Sequence, residues 1–90
     1  PASKRDPRKE LRRAQREVEE AEAAVAALEA EVARLVAALE DPALYTRPDG
    51  ARAAHELGQQ LETKKRELEA GLERWTRATE QVEMRAPRDA

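Results

Sequence analysis

Apolar residues recur along two long stretches of the chain at alternating spacings of three and four residues. This spacing places them on one side of an α-helix and is typical of a coiled-coil seam. It predicts an all-α fold with two long helices. In the first stretch the seam positions are Leu11, Ala14, Val18, Ala21, Val25, Leu28, Val32, Leu35 and Leu39. In the second they are Leu61, Leu68, Trp75 and Val82, with Gly58, Lys65, Leu72 and Thr79 in the intervening positions.

The registers of the two stretches match when the chain folds back on itself. Pairing Leu11 with Val82 and Val18 with Trp75 gives residue numbers that add to 93 in both cases, and the other layers keep this value. A constant sum is what antiparallel partners require, so we predict a two-helix antiparallel coiled-coil hairpin. We expect a monomer, because the loop holds both arms at high effective concentration. A swapped dimer with the same layers is the alternative.

Local signals mark the ends of the arms. Asp6 supplies a capping carboxylate and Pro7 suits the first position of a helix. Pro42 ends the first arm, the turn closes at Gly50, and Pro87 follows the second arm. The predicted organisation is one domain over residues 1–90, with arm one at about 7–40, a loop at 41–50, arm two at about 51–85, and frayed ends.

Composition limits the chemistry that the chain can support. Of 90 residues, 40% are charged and 2% are aromatic, and there is no Cys. An enclosed pocket, a disulfide and a thiolate metal site are therefore excluded. His55 is the only histidine, so we expect no metal site, no cofactor and no catalytic activity in this chain. Nothing resembles a leader or the roughly 20 apolar residues of a membrane span. We expect a cytoplasmic location and, because the chain starts with Pro1, a longer parent protein.

Charge is unevenly distributed although the net charge is only −2. Residues 1–16 are strongly basic, residues 17–41 are strongly acidic, and residues 42–90 are balanced. The basic residues of the first segment occupy outward positions, where they are free to meet phosphates. A helix with an exposed face also needs charged residues for solvation alone, and this is the competing interpretation. Basic residues at a helix start oppose the macrodipole, which favours a binding role.

Two short motifs interrupt the heptads and carry a family resemblance. One is the break Asp41-Pro42-Ala43-Leu44-Tyr45, and the other is Glu73-Arg74-Trp75 near the end of the second arm. Over about residues 10–83 the chain resembles the C-terminal coiled-coil domain of Uup-type ABC-F ATPases. The resemblance implies a DNA-binding hairpin that follows two ATP-binding cassettes in a parent ATPase associated with DNA or ribosomes. The chain itself has no Gly-rich phosphate loop, so we expect it not to be an ATPase.

We therefore predict a non-catalytic domain that binds nucleic acid, DNA in preference to ribosomal RNA, through backbone phosphates. The other expected partners are the ATPase cassettes of the same polypeptide. The alternative is an arm that contacts the ribosome or another protein and positions the cassettes. The predicted phosphate contacts are Arg5, Arg8, Lys9, Arg12, Arg13, Arg16, Arg77 and Arg85. Further contacts are considered at the loop tip, at Tyr45, Arg47 and Arg52; for Tyr45, packing against the helix ends is the favoured alternative. Trp75 is expected to pack in the seam rather than stack on a base.

Overall fold

A computed structural model describes residues 6–87 and confirms the all-α hairpin. Helix α1 spans Pro7–Glu40 and helix α2 spans Gly50–Arg85, and a short 3₁₀ helix, Pro42–Thr46, lies in the connection. The molecule is a rod with principal extents of 69 × 28 × 13 Å. Each arm is therefore exposed to solvent along most of its outer surface.

The predicted signals set the ends of α1. The Asp6 side chain accepts a hydrogen bond from the backbone N–H of Arg8 at 2.9 Å, which satisfies one of the free donors of the first turn. At the other end, Asp41 adopts an extended conformation before Pro42. Its carboxylate accepts from the N–H of Ala43 at 3.0 Å and starts the 3₁₀ helix.

The tip is held together by contacts within its own few residues. The Tyr45 hydroxyl donates to the carbonyl oxygen of Leu39 near the end of α1. Leu44 is buried beneath the turn. A Cβ atom on Gly50 would lie 2.3 Å from the Leu44 carbonyl oxygen, so only glycine fits there. Gly50 is also the first residue of α2, which begins one residue earlier than predicted.

Four side-chain contacts between the arms establish that they run antiparallel. Glu10 pairs with Arg85, Glu17 with Arg74, and Glu31 with Lys64. In addition, the indole N–H of Trp75 donates to Glu22. The residue numbers of each pair add to a value within four of the predicted 93. The predicted direction is therefore right along the whole seam.

The large seam residues predicted for α2 are all partly buried, but two of the four predicted intervening residues are not inward. Lys65 is exposed and Leu72 is 45% exposed, so neither lies in the seam. Gly71 takes the inward position instead, where a Cβ atom would lie 3.4 Å from Val25 and 3.7 Å from Leu28. Ala78 is likewise buried. At these two layers the inward residue follows the large seam residue, Leu68 or Trp75, by three positions rather than four.

The core is built from small side chains and is thin. Ala21 is completely inaccessible to solvent, and Ala14 and Ala78 are also buried. Trp75, the largest seam residue, is partly buried, and its N–H reaches Glu22 at 3.1 Å at the edge of the interface. Trp75 is thus shielded from solvent in part, as expected for a seam residue.

Over residues 6–87, no helix has an apolar stretch long and uncharged enough to traverse a bilayer. Within the same range, no group of three or more His, Cys, Asp or Glu side chains is arranged to hold a metal ion.

Candidate nucleic-acid interface

Five basic side chains near the start of α1 form an exposed patch. Leu11, Ala14 and Val18 take the inward positions of these turns, so the side chains between them face solvent. Within residues 6–87 none of the five forms an ion pair, and all are exposed. We call this set the basic patch: Arg8, Lys9, Arg12, Arg13 and Arg16. The predicted contact Arg5 lies outside the described residues.

The end of α2 brings further basic side chains to the same end of the rod. Arg85 lies beside α1, with its Nε 3.9 Å from a carboxylate oxygen of Glu10, and it also donates to Gln81. Arg77 lies two turns earlier on α2 and is exposed. The structure therefore brings Arg85 to the basic patch, but its guanidinium is already engaged with groups of the hairpin.

An open groove of about 680 Å³ lies between the two arms at this end. Ala14 and Ala78 are among its lining residues, and both are buried. Its remaining lining is mixed in charge, since four basic residues are matched by four acidic ones. The basic ones are Lys9, Arg13, Arg16 and Arg85, and the acidic ones are Asp6, Glu10, Glu17 and Glu20. This balance makes the groove a weaker anion site than the outer side of α1.

Two ion pairs fasten the arms together beyond the patch. Arg74 donates to Glu17 at 2.6 Å, and this hydrogen bond lowers the pKa of the Glu17 carboxyl, with Coulombic attraction to Arg74 adding to the effect. Lys64 lies 3.0 Å from Glu31, and hydrogen bonds to Glu31 and Glu67 raise the pKa of its amine. These contacts fix the position of α2 relative to the patch.

Sequence reasoning missed the contacts of Arg74 and of the Trp75 N–H. A signal was present, because Glu17 and Glu22 stand nearly opposite these residues in the predicted register. Opposite charges at facing positions of an antiparallel pair are the pattern that would have revealed the Glu17–Arg74 pair.

Of the three residues considered as nucleic-acid contacts at the loop tip, two already bond to other groups of the hairpin. The Arg47 guanidinium makes two hydrogen bonds to the Asp49 carboxylate, at 3.0 and 2.7 Å, and these lower the pKa of Asp49. The Tyr45 hydroxyl is bonded to Leu39, as a residue packed on the helix end would be, although its side chain remains 57% exposed. Arg52 is exposed on the first turns of α2. The tip and the basic patch lie at opposite ends of the rod.

Taken together, these features define a two-helix antiparallel coiled-coil hairpin with a basic patch at its open end. The model of one protein family, the ABC transporter C-terminal domain, matches residues 9–80. This range covers most of the chain, and the chain belongs to that family. No curated protein and no solved structure shows a significant match. The hairpin is therefore a domain associated with ATP-binding cassette proteins.

Proposed function

We propose that this hairpin is the non-catalytic nucleic-acid-binding domain of a Uup-type ABC-F ATPase. It binds DNA, in preference to ribosomal RNA, through the backbone phosphates. The observation that carries the proposal is the basic patch, in which five exposed cations lie on little more than two turns of one helix without ion pairs to other residues of the range 6–87.

Placement of these charges supports binding over solvation alone. Arg8 and Lys9 lie in the first turn of α1, where cations oppose the helix macrodipole, so helix stability does not account for their presence there. Elsewhere in the described range, basic side chains at the edge of the seam are used in ion pairs, as Lys64 and Arg74 are. The patch therefore concentrates five exposed cations within nine residues, whereas the other exposed basic residues of the described range, such as Arg34 and Arg52, lie further apart.

Contacts of this kind give affinity without sequence readout. Phosphate contacts release counterions, so the logarithm of the binding constant falls with the logarithm of salt concentration by about 0.9 for each phosphate neutralised. Five cations therefore give a slope of about −4 to −5. Changing the base sequence at constant length leaves the affinity nearly unchanged, because phosphates carry no sequence information.

A titration followed by fluorescence anisotropy tests this proposal. Labelled duplex DNA, branched DNA and structured RNA are titrated with the 90-residue chain across a salt series. Replacing Arg12, Arg13 and Arg16 by Gln weakens binding and reduces the magnitude of the slope by about 2 to 3.

The matched control removes the same charge elsewhere on the rod. Arg34, Lys65 and Arg66 are exposed and are replaced by Gln in one variant. This variant retains most of the affinity and the slope. Absence of binding at low salt, or equal losses in both variants, would contradict the proposal and favour an arm that contacts protein.

A further inference from the structure

The charge of the exposed surface of α1 changes sign just beyond the basic patch. Glu19, Glu20 and Glu22 follow Arg16 and are exposed. We call these three residues the acidic collar. The next basic residue on α1 is Arg34, five turns further along. A phosphate backbone following the arm beyond Arg16 would therefore meet carboxylates first and then a long stretch without cations.

The basic patch is short compared with a nucleic-acid duplex. From Arg8 to Arg16 the helix rises by about 12 Å, at 1.5 Å per residue. This length corresponds to about seven phosphates of the two strands together, at one per 1.7 Å of duplex axis, which is enough for the five cations. It is much shorter than the roughly 34 Å of one duplex turn. The basic patch is therefore long enough to contact one short segment of a nucleic-acid backbone, but it is too short to follow a duplex over a full turn.

The side of the basic patch that faces the second arm attracts phosphates less strongly than the outer side does. The groove between the arms carries as many acidic as basic side chains, and Arg85 on its far wall is engaged by Gln81 and Glu10. Attraction for phosphates is thus greatest on the outer side of α1, where Arg8 and Arg12 are exposed and do not line the groove.

We propose that the acidic collar marks the boundary of the nucleic-acid-binding site, an inference that rests on the proposed function. It directs the nucleic-acid backbone across the open end of the hairpin rather than along the arm. Repulsion between the collar and phosphates excludes the lengthwise arrangement, because the collar begins within about 5 Å of helix rise from Arg16, well inside the Debye length of about 10 Å at moderate salt. The rest of the rod is left free of nucleic acid.

The first test measures how the salt slope depends on duplex length. Duplexes from one to four helical turns are titrated with the 90-residue chain at several salt concentrations. A crossing geometry keeps the slope at about −4 to −5 for all lengths, because the same five cations are used each time. A slope that steepens as the duplex lengthens would overturn the boundary.

The second test removes part of the collar while retaining Glu22, which bonds to Trp75. Replacing Glu19 and Glu20 by Gln raises the affinity for duplex DNA severalfold at about 0.1 M salt, where the Debye length is about 10 Å. The matched control replaces Glu56 and Glu62 by Gln, an equal charge change at exposed positions near the tip. These positions lie more than two Debye lengths from the patch, so the control changes the affinity little.

The outcomes separate the two proposals. If the unaltered chain does not bind, the proposed function fails and the boundary fails with it. If the chain binds but both pairs of substitutions act equally, the boundary is wrong and the proposed function stands. Far-UV circular dichroism confirms that each variant retains its helices, so that a change in affinity is not mistaken for unfolding.

Discussion

The three glycines provide a sharp test of the seam, because the structure gives each a different environment. A Cβ atom at Gly58 would meet no heavy atom within 4 Å. At Gly71 it would lie 3.4 Å from Val25 and 3.7 Å from Leu28, which is ordinary van der Waals contact. At Gly50 it would lie 2.3 Å from a backbone oxygen, and the backbone would have to move.

These distances predict effects of opposite sign. Gly58→Ala stabilises the hairpin by about 1 kcal/mol through helix propensity alone. This corresponds to a rise of about 4–8 °C in Tm for a domain of this size. Gly50→Ala destabilises it by about 1–3 kcal/mol, as is typical when a methyl group is forced into a filled space.

Larger replacements distinguish the observed register from the one predicted from sequence. Gly58→Leu stabilises the hairpin by somewhat less than about 1 kcal/mol, because Leu is nearly as good a helix former as Ala and its Cβ meets no neighbouring atom. Gly71→Leu displaces Val25 and Leu28 and lowers the stability by about 1–3 kcal/mol. Thermal and urea unfolding followed by far-UV circular dichroism measure both. If Gly58→Leu were the damaging change and Gly71→Leu the harmless one, α2 would be rotated relative to the structure described above.

Three further predictions concern the caps and ion pairs. Asp6→Ala removes the cap of α1 and lowers the stability by about 1 kcal/mol, measured by urea unfolding; an unchanged midpoint would contradict the capping role. Tyr45→Phe removes the hydrogen bond to Leu39 and lowers the stability by about 1 kcal/mol, and no change in Tm would show that this bond contributes nothing. The Glu17–Arg74 pair makes stability depend on pH. Because the pKa of Glu17 is lowered on folding, its contribution is present above the ordinary value of 4.5 and is lost as the pH falls through the lower folded value. The difference in Tm between the unaltered chain and Glu17→Gln therefore narrows in acid, and a constant difference would rule out the linkage.

Much of the fold could be predicted from sequence because the signals are local. Asp6 and Pro7 start α1, Pro42 ends it, and the predicted bounds agree with the structure to within one residue. The error lies in the layers between the large seam residues of α2. Leu72 has the bulk expected of a seam residue, but Gly71 takes the inward position. How closely two helices approach depends on the packing of both, and spacing along one helix does not reveal it.

Part of the candidate site could also be predicted from the sequence, because that part depends on local signals. Exposure of the basic patch follows from the helical register, so it could be predicted from the pattern alone. The engagement of Arg85 by Glu10 and Gln81 and of Arg47 by Asp49 depends on side-chain geometry. Sequence spacing gives no direct indication of such contacts. The resemblance to Uup-type domains indicates DNA as the ligand, and DNA binding stays a proposal.

The most direct test of the central claim is a map of backbone amide chemical shifts on titration with a short DNA duplex. We predict that perturbations concentrate in residues 8–16 of α1 and fade beyond the acidic collar. We also predict little change at the tip, over residues 41–52. Perturbations centred on the tip or on the acidic middle of α1, with residues 8–16 unaffected, would contradict the claim that the basic patch is the nucleic-acid interface.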